Sequence, residues 1–188
     1  MTSGQTTHSR ATSLERLARY LLAYDKQHFR VISQKGVEPS QADLEAFERR
    51  VGFTLPADFR LFALLPIGGL FVEARQEVWP VAKEFEVGPV WSFLRGLVVY
   101  GLSPRAPEFL QLEPAWEAMA ARGAPHLVPF LKVIGSADPY CFTADGAIVI
   151  WRHEESETPE PVDSSFVDVL MKELVELEAR LKQRLSGA

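Results

Sequence analysis

Apolar residues recur at helical spacing soon after the chain begins. Leu14, Leu17, Ala18, Leu21 and Leu22 predict a helix opened by Ser13, whose hydroxyl can cap the first turn. We read 13–35 as one basic N-terminal helical arm, and 1–12, rich in Ser and Thr without an apolar period, as a disordered lead. A second helix is expected after Ser40. Ser40 and Asp43 have capping-box spacing, and Leu44, Phe47 and Val51 continue at i, i+3, i+7 before Gly52 ends the run. Pro56 suits the start of a third helix carrying Phe59, Phe62 and Ala63, which Pro66 and Gly68-Gly69 stop.

From there the pattern turns strand-like. Residues 70–73, 77–81 and 97–100 are short β-prone stretches between Gly and Pro, and 113–122 reads as a short helix stopped by Gly123. Residues 127–134 predict a strand whose start is demoted to an edge or bulge by Pro129. Residues 140–143 and 147–151 flank Asp145-Gly146, the signal for a hairpin. Ile148 and Ile150 alternate with Val149 and Trp151, so that strand is apolar on both faces and belongs in the middle of a covered sheet. Residues 152–163, with two prolines and five acids, read as an exposed loop. Phe166, Leu170, Leu174, Leu177, Leu181 and Leu185 then form the stripe of a final helix over 164–185. Helices, then strands, then a helix give an α+β class: a mixed, mostly antiparallel sheet with helices packed on it, and an extra N-terminal helix.

Composition narrows the function classes. The chain of 188 residues has 20 Lys and Arg against 25 Asp and Glu, a formal charge of −5, which counts against a generic nucleic-acid binder. The charge is uneven: 1–35 hold six cations against Glu15 and Asp25, a net of +4 that leaves −9 on the remainder. A single cysteine, Cys141, precludes an internal disulfide and a multi-cysteine zinc site. No apolar run approaches the roughly 18 residues needed to span a bilayer, and the polar start lacks a signal-peptide core, so a cytoplasmic protein is expected. The absence of asparagine and the excess of Arg over Lys, 14 to 6, fit the codon bias of a GC-rich, bacterial genome.

Four spaced motifs then carry a resemblance. Ser40-x-x-Asp43-Leu44-x-x-Phe47-Glu48, Gly52-x-x-Leu55-Pro56-x-Asp58-Phe59 and Ile67-Gly68-Gly69 resemble the opening of the SUKH superfamily. Tyr140-Cys141-Phe142, Asp145-Gly146-x-Ile148-Val149-x-Trp151-x-His153 and Ser165-Phe166-x-x-x-Leu170 resemble its closing hairpin and last helix. The likeness covers 38–175 and sets the domain at 36–188. Ile67 stands where relatives usually carry Asn. The superfamily includes fungal cell-wall-assembly regulators and bacterial toxin-immunity proteins. The resemblance therefore implies a protein-binding domain, most concretely one that neutralises a cognate, nucleic-acid-targeting toxin, with a regulatory scaffold as the alternative and no cofactor. The motif residues themselves read as structural: Gly52 and Gly69 for positive φ, Leu55, Trp151 and Phe166 for the core, Pro56 for a helix start, Asp145 and Gly146 for the turn, and Gly68 to stop a helix.

Chemistry is sparse. Cys141, His153 and Asp145 are the one set resembling a thiol hydrolase, but Cys141 sits between Tyr140 and Phe142, where a free cysteine packs as a small apolar residue. His8, His28, His126 and His153 are scattered without ligand spacing. We expect no catalytic or metal site. The candidate partner-binding residues are Glu154, Glu155, Glu157, Glu160 and Asp163, an acidic strip suited to a basic toxin, together with Trp79 and Trp91.

Overall fold

The computed structural model describes the backbone of residues 3–82, 87–152 and 158–187, with side chains from residue 13. Seven antiparallel strands lie in chain order across one sheet: β1 (Phe29–Ser33), β2 (Leu70–Ala74), β3 (Gly96–Val99), β4 (Val128–Ile134), β5 (Tyr140–Phe142), β6 (Ile148–Ile150) and β7 (Glu160–Val162). The helices are α1 (Ser3–Ala23), α2 (Gln41–Val51), α3 (Ala57–Ala63), α4 (Leu112–Ala121) and α5 (Phe166–Ser186). The class is α+β, as the order of patterns predicts, and all the pairings between these strands are antiparallel.

Alternation within each strand divides the sheet into two covered faces. Val31, Val72, Leu97 and Val133 are cross-strand partners on one face. The last three join the principal core there with Leu17 of α1, Phe59 and Phe62 of α3, and Phe166, Leu170, Leu174, Leu177 and Leu181 of α5. On the other face Met119 of α4, with Ala124 and Leu127 after that helix, covers Cys141, Val149 and Trp151. Ala106 and Leu110, from the segment before α4, cover Phe71 on that same side. Ile148 and Val149 are thus buried against opposite layers, the double covering expected of a strand apolar on both faces.

Local signals explain most element ends. Ser40 and Asp43 close a reciprocal capping box, and Gly52 ends α2 at φ 84°. Ser165 caps α5 by accepting from the Asp168 N–H. At the hairpin, the Gly146 N–H donates to Thr143 O at 2.9 Å and the Thr143 N–H to Ala147 O at 3.0 Å. Ala144, Asp145 and Gly146 therefore form a three-residue loop in which Gly146 takes the positive φ, 81°. Pro129 lies at a register shift between β4 and β5, the bulge anticipated for it.

Five expectations are corrected. The N-terminal arm is not one helix over 13–35. α1 ends at Ala23, and residues 29–33 are β1, paired with β2. The helix also begins at Ser3, inside the stretch read as a disordered lead, because an apolar stripe reports packing and not helix as such. Residues 77–81 form a turn that buries Trp79 instead of a strand, and 160–162 form β7 inside the stretch read as loop.

The fifth concerns Gly69, which does not have positive φ. The Gly68-Gly69 pair is needed for close approach instead. A Cβ on Gly68 would collide with Ala63 O and lie 2.5 Å from Gln34 Nε2. Gln34, fully buried after β1, donates from that nitrogen to Ala63 O at 2.7 Å and Leu65 O at 2.9 Å. Ala63 O ends α3, and Leu65 O lies just beyond it, also accepting the Gly68 N–H at 2.8 Å, so a side chain from the N-terminal arm caps the end of a helix of the main domain. The arm belongs to the fold.

Candidate functional site

Trp151 closes β6 with 7% exposure, and Arg152 follows it, donating to Asp138 at 3.2 Å and to Glu160 of β7 at 2.7 Å. Residues 153–157 lie outside the described residues, and with them His153, Glu154, Glu155 and Glu157. Glu160 and Asp163 are exposed, one on β7 and one just past it. The connection that carries the acids is therefore held at both ends, by β6 and by β7.

Asp163 opens onto a depression of about 400 Å³ lined also by Pro56, Asp58, Gly146, Ala147 and Ser165. The motif residues meet here: the start of α3, the hairpin turn and the cap of α5 converge at one end of the sheet. Asp145 sits in the same turn, its carboxyl held below the usual range by the Thr143 hydroxyl and by the Ala147 N–H. Asp58, half-buried in the first turn of α3, thus joins the acidic group beside Asp163. Sequence reading missed it, because the two are a hundred residues apart in the chain and only α3 packing beside the hairpin unites them.

The tryptophans separate. Trp79 is fully buried, its Nε1 donating to Ser92 O at 2.9 Å, so its side chain is a core residue with no surface for a partner. Trp91 is half-buried in the 3-10 turn Val90–Phe93, with its ring 6.4 Å from that of Trp79. Val87 and Val90 beside it are 97% and 75% exposed.

The thiol is in a poor place for nucleophilic work. Cys141 has no exposure, is enclosed by the apolar cluster under α4, and lies 3.7 Å from Pro139 O. Burial pushes its pKa up, opposite to the shift that activates a cysteine. Native protein should therefore resist iodoacetamide at neutral pH and react fully once unfolded in guanidinium, as mass spectrometry would record. Rapid alkylation of the native state would reopen the hydrolase reading. Among the described residues no three His, Cys, Asp or Glu side chains are grouped to hold a metal, and no helix is long and apolar enough to cross a membrane.

No curated protein matches this chain. Residues 38–172 match the SMI1 / KNR4 family (SUKH-1), a span running from just before α2 into α5 and taking in the residues that line the depression. With most of its length so matched, and with the matched motifs converging at one end of the sheet, the chain belongs to the SMI1 / KNR4 family of SUKH-1 domains.

Proposed function

We propose that this protein is a non-catalytic immunity protein that binds and neutralises a cognate toxin, itself basic and directed at nucleic acid. Family membership over residues 38–172 is the observation that carries the reading. Two acidic groups support it. Asp58, Asp145 and Asp163 lie beside the depression at the hairpin end of β6 and β7, and Glu160 begins β7 at the other end, where the connection with Glu154, Glu155 and Glu157 joins β6 to β7. Clustered carboxylates on a rigid frame attract a cationic surface from a distance and compete with the phosphates that surface holds. Inhibition then needs only occlusion, without cofactor or turnover, and it operates in the cytoplasm where the toxin would act.

Co-expression tests this directly. The polypeptide encoded immediately upstream should arrest growth when produced alone, and this protein should restore growth and co-purify with it in a stable complex. Failure of the two purified proteins to associate would remove the immunity reading.

A further inference from the structure

The two edges of the sheet are built differently. Hydrogen bonds place the Gln34 N–H on Gly69 O and the Arg75 N–H on His28 O, so even-numbered residues along β1 bond to β2. By alternation, the N–H and C=O of Val31 and Ser33 point away from the sheet. Val31, which ends the apolar row Val31, Val72, Leu97, Val133, is 40% exposed. At the far edge β7 is only three residues long and has Pro161 at its centre, the ordinary means of blunting an edge. β1 has no proline and is five residues long.

Charge says what fits. Residues 26–37 contain Lys26, Arg30 and Lys35 and no acid. Glu73 is shared between Arg30 at 2.9 Å and Arg95 at 3.6 Å, so one carboxylate faces two guanidinium groups there. A second copy adding β1 to β1 would bring these like charges together. A second copy adding β7 would present Pro161, which lacks the donor. We propose that the free edge of β1 takes an extended segment of a partner protein as a further strand, with apolar residues continuing the Val31 row and acidic residues on the Arg30 face. This surface lies at the opposite edge of the sheet from the acidic connection and does not rest on the toxin reading.

The probe is the peptide acetyl-Glu-Val-Glu-Val-Glu-Val-Glu-amide, with a Lys-for-Glu counterpart and a version N-methylated at alternate residues. Anisotropy should show the acidic peptide binding while both counterparts fail. Amide exchange should slow at Val31 and Ser33 when it binds. Val31→Pro removes only an outward N–H and should weaken binding about tenfold or more. Should that variant fail to fold, the N-methylated peptide makes the same test on unchanged protein. Absence of binding at millimolar peptide, equal binding of the Lys peptide, or indifference to N-methylation would each overturn the proposal. So would sedimentation showing a dimer that Val31→Pro dissociates, which would assign the edge to a second copy.

Discussion

Phe59→Ala should cost about 3–5 kcal/mol, the range for emptying a buried aromatic site. Phe59 has no exposure, and its ring lies 5.1 Å from Phe142, 5.2 Å from Phe166, 6.3 Å from Phe62 and 6.4 Å from Phe130. These partners come from α3, α5, β4 and β5, so the ring joins the helical layer to the centre of the sheet. Two of the contacts, with Phe142 and Phe166, are edge-on, which adds to the burial energy and fixes ring orientation. Collapse around the deletion is restricted, because Phe130 and Phe142 already stack at 4.2 Å and cannot both shift into the space. For a domain of this size such a loss takes a large share of total stability. Leu61→Ala on the same short helix is the control. Leu61 is 49% exposed, and alanine is the better helix former, so the change should stay within about 0.5 kcal/mol. Guanidinium unfolding of both variants would check this. Equal midpoints would show that α3 is not held to the sheet through Phe59.

What could be read from the sequence, and what could not, follows from where each signal originates. α2 announces itself because its capping box and its Gly52 terminus are local devices, satisfied within a few residues. α5 does so because one long stripe meets one core. β1 and β7 are edge strands, which need ladder partners on one side and so tolerate Arg30 in one and Pro161 in the other. Both residues lower the local signal while the pairing that creates the strand is remote, Arg30 with Glu73 and Pro161 with Val149. Gly69 misled for a related reason. A glycine pair after a helix suggests positive φ, yet the demand here is the space filled by Gln34, some thirty residues earlier. The candidate site shows the same division. Its acids stand out as a run after Trp151, whereas Asp58 meets Asp163 only through tertiary packing, which also buries Trp79.

Reversing Glu154, Glu155 and Glu157 to Lys should slow association with the proposed toxin partner by on the order of tenfold or more at low salt. The connection is held at both ends, by the β6 pairing with β5 and by the β7 pairing with β6, and Arg152 ties it further to Asp138 and Glu160. Like charges close together in the chain attract a cationic surface at long range, before any contact forms. Rim charges chiefly set the association rate, so dissociation should change little. Salt provides the internal check. The Debye length falls from about 10 Å at 0.1 M to about 3 Å at 1 M, so wild type and triple variant should converge as salt rises. Folding should be unaffected, because acids in a polar connection contribute little to stability, and the melting temperature of the variant verifies this. The same change leaves Asp58 and Asp163 in place, so a residual salt-dependent attraction is expected instead of complete loss. Stopped-flow kinetics at several salt concentrations would decide the matter. Identical association rates across the series would reduce the strip to a solvated connection, and the contact surface would then lie around Trp91, where Val87 and Val90 stand exposed.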